Sequence, residues 1–205
     1  MSNVKIAIIY YSATGTNYEM ALEAEKAAKA LGAEVRVRRV RELAPKEAVE
    51  SQDAWKAHVE ATQHIAVATL DDLDWADGFI FSVPTRFGNL ASQMKQFFDT
   101  AGPLWGQGKL ANKTVTAMSS AANPHGGQEA TILSVYTTMY HWGAIVVAPG
   151  YTAEAVYGAG GNPYGTSATS SQGVTDEIRA SVRHQTERLV NITQRLSTHP
   201  AEADR

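Results

Sequence analysis

The stretch VKIAIIYY (4–11) is an apolar run apart from Lys5, and a strand of that kind must be covered on both faces. Four more strand-like runs follow at EVRVRRV (34–40), GFIFSVP (78–84), KTVTAMSS (113–120) and AIVVAPG (144–150). Helical patterns alternate with them. The segment 16–32 repeats Met20, Ala24, Ala27, Ala28 and Leu31 at helical spacing and closes on Gly32, and 92–102 and 129–143 are further helices. A long last helix, 176–196, is expected to bury Ile178, Val182, Leu189, Ile192 and Leu196. Five rounds of strand and helix predict an α/β sandwich, a parallel sheet with helices on both faces. The valine–charge alternation of 34–40 marks an edge strand.

In such a sheet, ligands sit beyond the carboxyl ends of the strands. Three connections of unusual composition reach that edge. The first, SATGTN (12–17), joins a strand to a helix N-terminus, where free N–H groups and the helix dipole attract an anion. Ser12, Thr14, Thr16 and the Asn17 amide add donors, and Gly15 permits a close backbone approach. A plain helix cap is the competing reading. The second, PTRFGN (84–89), suits a turn whose backbone faces a planar ligand, with Phe87 offering a ring and Arg86 a cation. Its bland alternative has Asn89 capping a helix and Phe87 in the core. The third, SSAANPHGGQE (119–129), gains meaning only from standing beside the other two. Neither a G-x-x-x-x-G-K-[ST] phosphate loop nor a G-x-G-x-x-G after the first strand is present.

Composition removes several classes of function. With no cysteine among 205 residues, disulfides, thiolate catalysis and Cys-ligated metals are excluded, and a reducing, cytoplasmic setting is expected. A formal net charge of -3 argues against a nucleic-acid surface. The run RVRRVRE (36–42) is read as a solvated edge. No apolar stretch reaches the roughly 18 residues of a membrane span, and the N-terminus reads as a strand rather than a signal peptide. No Ser-His-Asp, paired-carboxylate or metal-ligand pattern is visible, so a cofactor is expected to carry the chemistry.

YYSATGTN, PTRFGNLASQMKQFFD, TAGPLWGQGKLANK and GGQEATILSVYTTMYHWGAIVVAPGY together resemble the WrbA proteins, flavodoxin-like NAD(P)H:quinone oxidoreductases. The resemblance runs from residue 4 to about 196. It implies a flavodoxin-like five-stranded sheet of order 2-1-3-4-5, noncovalent FMN, NAD(P)H as co-substrate and a homotetramer. Carried over position by position, Ser12, Ala13, Thr14, Gly15, Thr16 and Asn17 would hold the FMN phosphate. Pro84, Thr85, Arg86, Phe87, Gly88 and Asn89 would line the flavin ring. Ser120, Ala121, Ala122, Asn123, Pro124, His125 and Gly126 would complete the site. Thr14 would also lie near the nicotinamide nucleotide. His141 would reach the flavin from a neighbouring subunit as a proton donor or hydrogen-bond partner, and Trp105 would form part of the quinone wall. Three features depart from the family: the longer third loop, Trp142 after His141, and a shorter 166–172 segment. They bear on substrate shape and loop mobility.

The implied reaction is two-electron quinone reduction, with NAD(P)H and quinone using one place in turn. A one-electron flavodoxin shuttle and a regulatory binding partner are the alternatives. Such shuttles tend to be strongly acidic, which this chain is not. A single domain over 1–197 is expected, with excursions at 46–63 and 151–173 and a polar tail at 198–205. Trp55 and Val59 in the first excursion, and Tyr151, Val156, Tyr157 and Tyr164 in the second, are expected to form an intersubunit surface, Tyr157 and Tyr164 helping to close the substrate pocket. His58, His64, His184 and His199 are expected at the surface.

Overall fold

Isoleucine and alanine at every position from Ile6 to Ile9 leave β1 (Lys5–Tyr10) with no face suited to water. Both faces are covered. Ala7 and Ile9 enter one hydrophobic core, while Ile6, Ile8 and Tyr10 enter the other. The computed structural model describes residues 3–198, so the polar tail expected at 198–205 lies outside it apart from Thr198, which ends the last helix, and so does His199.

After β1 come α1 (Thr16–Ala30), β2 (Glu34–Arg39) and three short helices: α2 (Lys46–Glu50), α3 (Asp53–Ala61) and α4 (Leu70–Trp75). Then follow β3 (Gly78–Arg86), β4 (Asn89–Leu90), α5 (Ser92–Asp99), α6 (Gly102–Gly106), β5 (Thr114–Ala121) and α7 (Gln128–Trp142). β6 (Ile145–Val146), α8 (Glu154–Gly158), β7 (Ser167–Thr169) and α9 (Asp176–Thr198) complete the described chain. The strands order as β2-β1-β3-β5-β6, with β4 folded back on β3 and β7 beside β5. With the two-residue β4 set aside, this is the 2-1-3-4-5 order expected, and the fold is a flavodoxin-like α/β sandwich. One core packs α1 and α9 on the sheet through Met20, Ala24, Val182 and Leu189, and the other packs α5 and α7 through Met94, Phe98, Ile132 and Met139.

Trp142 belongs to the second core. Its ring meets Phe98 edge-on at 5.4 Å and Phe79 at 6.4 Å, so it shapes the interior rather than a substrate wall. Basic β2 is neutralised within the chain. Arg36 and Arg38 pair with the buried carboxylate of Asp72, and Arg36 lies over the Trp75 ring at 4.1 Å.

The fifth strand departs from expectation. Only Ile145 and Val146 pair with the first residues of β5, and the strand does not continue to 150. Pro149 cannot extend the ladder, and the chain turns at Gly150 in the left-handed region. It returns as β7, which pairs with Ser119–Ala121 on the same edge of β5. Side chains bridge the break. The Tyr136 hydroxyl accepts from the Ala117 N–H, and Gln185 Nε2 donates to the Ala117 carbonyl at 2.8 Å. Gln185 Oε1 in turn accepts from the N–H and hydroxyl of Thr166. A Cβ on Gly165 would fall 2.0 Å from the Ala117 oxygen, so only glycine lets the returning chain come this near. The excursion 151–173 therefore carries α8 and β7, and its Val156 is buried within its own chain.

Candidate functional site at the carboxyl edge of the sheet

The register levels three strands. Tyr10 is opposite Ser82 on β3, and Pro84 is opposite Ser120 on β5, so the connections leaving β1, β3 and β5 emerge together. Asn17 fastens them. Its Nδ2 donates to Ser82 Oγ at 3.1 Å, its carbonyl accepts from the same hydroxyl, and its Oδ1 accepts from Ser120 Oγ at 2.5 Å. The side chains of Asn17 and Ser120 thus tie the strand ends together, and the Asn17 backbone N–H lies in the first turn of α1.

That turn has no cap. Gly15 stands at the N-cap with φ 104, and no side chain bonds the first N–H groups of α1. Ser12 Oγ instead accepts from the Gly15 N–H at 2.9 Å, which shapes the turn and leaves the helix end bare. The competing reading of 12–17 as a side-chain helix cap therefore fails. A bare N-terminus of a 15-residue helix presents N–H donors and the positive end of the dipole. Thr14 is exposed beside it, Ala13 is half-buried, and Ser12 and Thr16 are buried.

The second connection is a hairpin of β3 and β4. Arg86 pairs with Asn89, leaving Phe87 and Gly88 as a two-residue turn with φ 53 and 78. Positive φ at both positions is the type I′ pattern, unfavourable for phenylalanine. The Phe87 side chain is fully exposed at the tip. Both parts of the bland reading are overturned: Phe87 is not core, and Asn89 is a strand residue while Ala91 is the N-cap of α5. A ring held in strain with nothing to pack on is a surface waiting for a flat partner.

The third connection carries Ala122, Asn123, Pro124 and His125 exposed to solvent, and Asn123 Oδ1 accepts from the His125 N–H. Gly127 begins α7 at φ 98, again without a side-chain cap. A Cβ there would lie 2.9 Å from Gly88 Cα, so the third connection and the Phe87 hairpin touch. Beyond Pro124 and His125 opens a cleft of about 1050 Å³, walled by the start of α7, residues 158–162 and the β7–α9 connection.

Trp105 and His141 stand elsewhere. The Trp105 indole N–H donates to the His141 carbonyl at 2.8 Å, and both side chains are exposed. His141 lies near the end of α7, about 20 Å along the helix from Gln128 at 1.5 Å per residue. A single chain does not bring this pair to its own three connections. Tyr151 and Tyr157 stack on each other at 5.3 Å and remain exposed.

Two residues escaped the sequence. Glu42, just after β2, accepts five hydrogen bonds, from Tyr11 OH, Trp55 Nε1, Gln93 Nε2 and the N–H groups of Leu43 and Ala44. Burial alone would raise its carboxyl, but these donors outweigh it and hold the group below the usual carboxylate range. Burial, reinforced by Glu42, pushes the Tyr11 phenol well above its ordinary value. Trp55 is thereby half-buried on its own chain. His58 is the second: instead of a plain surface position it packs beside Gly15, and burial lowers its pKa. Neither has a local pattern, since their partners come from distant segments.

Among the described residues, no group of three or more His, Cys, Asp or Glu side chains could hold a metal ion. None of the described helices is long and apolar enough to cross a membrane.

Comparison with known proteins agrees with this geometry. The family model for NADPH-dependent FMN reductase matches residues 4–157. The chain is 53% identical over 194 residues to an NAD(P)H dehydrogenase (quinone) of Deinococcus radiodurans, covering 94% of this chain and 97% of that one. It is 40% identical over 203 residues to a protein of the same name from Chelativorans, covering 94% and 98%. Among solved structures, the WrbA-like flavodoxin of Agrobacterium tumefaciens superposes with TM-score 0.65 at 18% identity over 94% of this chain and 99% of that one. The two-electron reduced flavodoxin of Megasphaera elsdenii does so with 0.54 at 19% over 91% and 98%. Those two likenesses speak for the fold, and the sequence matches for the lineage: the chain belongs to the NADPH-dependent FMN reductase family, as a WrbA-type protein.

Proposed function

We propose that the protein is an FMN-dependent NAD(P)H dehydrogenase that reduces quinones by two electrons. The observation that carries the reading is the meeting of a bare, glycine-headed helix N-terminus with a strained, fully exposed Phe87 at one sheet edge. The residues fit FMN: one end takes a phosphate, and the other offers a flat ring and close glycine backbone. The names of the relatives from Deinococcus radiodurans and Chelativorans support the same activity.

The backbone of 12–17 would hold the phosphate, with the Thr14 and Thr16 hydroxyls beside it. Pro84, Thr85, Arg86, Phe87, Gly88 and Asn89 would line one side of the flavin ring, and Ser120 to Gly126 the other. FMN, when bound, supplies hydride acceptance from NAD(P)H and electron donation to a quinone. The chain's own part is orientation: the linked strand ends fix the ring plane, and the Phe87 hairpin excludes water from one side. NAD(P)H and quinone would occupy one place in turn.

His141 and Trp105 enter this reading through a neighbouring subunit in a homotetramer, with His141 donating a proton or hydrogen bond to a quinone oxygen. The distance of both from their own three connections supports a shared site. The rest of the organisation is read as a single domain over 1–197 in a cytoplasmic protein. The test is the visible spectrum of the purified protein together with NADH oxidation by benzoquinone. A flavin band with steady turnover is expected. A flavin band without turnover would favour an electron shuttle, and no flavin affinity would overturn the reading.

A further inference from the structure

α3 contributes nothing to the three connections, yet it stands against the first of them. The Nδ1 atom of His58 lies 3.8 Å from where a Cβ on Gly15 would sit, and the His58 ring is 5.6 Å from that of Tyr18 in the first turn of α1. Thr62 donates to the His58 carbonyl and secures the end of α3. Among the described residues, nothing hydrogen-bonds the His58 ring nitrogens. The turn itself brings no lysine or arginine to the anion it would hold.

The other charged and titratable groups around His58 are already engaged. Tyr10, Tyr11, Arg39 and Glu42 share a small recess with it. Arg39 donates to the Ile65 carbonyl, and Glu42 carries its five donors, the Tyr11 hydroxyl among them. Burial keeps the Tyr10 phenol protonated. On α1, Glu19 pairs with Arg179, and on α3 itself Asp53, Lys56 and Glu60 face solvent. His58 is the group free to change its charge.

We propose that His58 is a specificity-determining residue of the anion turn: protonated, it is the cation that the turn lacks, and it favours a phosphate-bearing flavin over riboflavin. The inference rests on the reading that 12–17 holds the FMN phosphate. Empty, the half-buried ring is disfavoured as a cation by desolvation. A phosphate nearby favours the imidazolium, so protonation and phosphate binding assist each other. The advantage therefore grows as pH falls. The second ionisation of the phosphate, near pH 6, affects wild type and variants alike and cancels in their ratio.

The test titrates the full chain, freed of flavin by dialysis, with FMN and with riboflavin at about pH 8 and about pH 5.5. His58→Gln should bind FMN like wild type at the higher pH and about fivefold more weakly at the lower, the size expected of one charge across a half-exposed turn. Riboflavin affinity should match wild type at both. His58→Lys, charged throughout, should hold FMN at least as tightly as wild type at either pH, which separates charge from packing. A ratio that is flat with pH, or an equal loss for riboflavin, would overturn the role of His58. If wild type itself does not prefer FMN to riboflavin, the anion-turn reading fails and takes this proposal with it.

Discussion

Phe87 pays for its position with a left-handed backbone, a cost of roughly 1 kcal/mol or more for a residue with a Cβ. Its exposed ring recovers nothing from the core. Phe87→Gly should therefore raise stability by about 1 kcal/mol in urea unfolding while weakening flavin affinity by about tenfold through lost stacking. Loss of stability in that variant would mean that the ring has an internal role. Glu42 gives a pH signature. Its folded carboxyl titrates below its unfolded value, so its contribution is present above the unfolded pKa and is lost as pH falls through the folded one. Glu42→Gln should be less stable than wild type at neutral pH but lose less stability on acidification, as read from thermal midpoints across pH 3 to 6. Residues of this kind differ in how plainly a sequence shows them. The hydroxyl-rich 12–17 and the Phe-Gly pair stand out because turns and helix ends have local composition. Glu42 and His58 do not, because Gln93 and Gly15 reach them only through the fold.

At the scale of elements, β1 and β3 were plain because a doubly covered strand is largely apolar, whereas AIVVAPG read as one strand and is not. The last backbone hydrogen bond of this run to β5 comes from the Val147 N–H to the Val115 carbonyl, and β7, a short triplet with no strand signature, finishes the same edge. Nothing local in Ser167, Ala168 and Thr169 announces this. The information lies in Gln185, far along α9, fully buried and satisfied at both ends of its amide. Gln185→Leu keeps the volume but strands the Ala117 carbonyl and the Thr166 N–H. It should cost about 2–6 kcal/mol in denaturant unfolding, one to three for each buried group left unpaired. A near-neutral effect would show that these groups find water or shift to new partners.

For the molecule as a whole, the parallel sheet and the meeting of three connections were legible, since alternation of strand and helix leaves few topologies, while the strand order came from the resemblance to the WrbA proteins. The separation of Trp105 and His141 from those connections was not, because distance along a helix is invisible to a motif. If neighbouring subunits share each site, two damaged chains should mend one another. Thr14→Glu sets a carboxylate against the phosphate, and His141→Ala removes the group offered to a neighbour, so each homo-oligomer should turn over poorly. Refolded together, they should regain about a quarter of wild-type quinone turnover at the sites that combine intact halves. No recovery, or a monomer by light scattering with full activity, would sink the shared site. The interrupted edge of β5 has a further consequence. Residues 147–166 leave and rejoin the sheet at neighbouring points on one strand, so the closure of that loop is anchored by the sheet at both ends. Lengthening such a loop is cheap, about 0.6 kcal/mol per doubling, and it borders the cleft beside the third connection. Evolution can thus redraw the rim of the cleft by insertion and deletion there, leaving the sheet and the turn at 12–17 untouched.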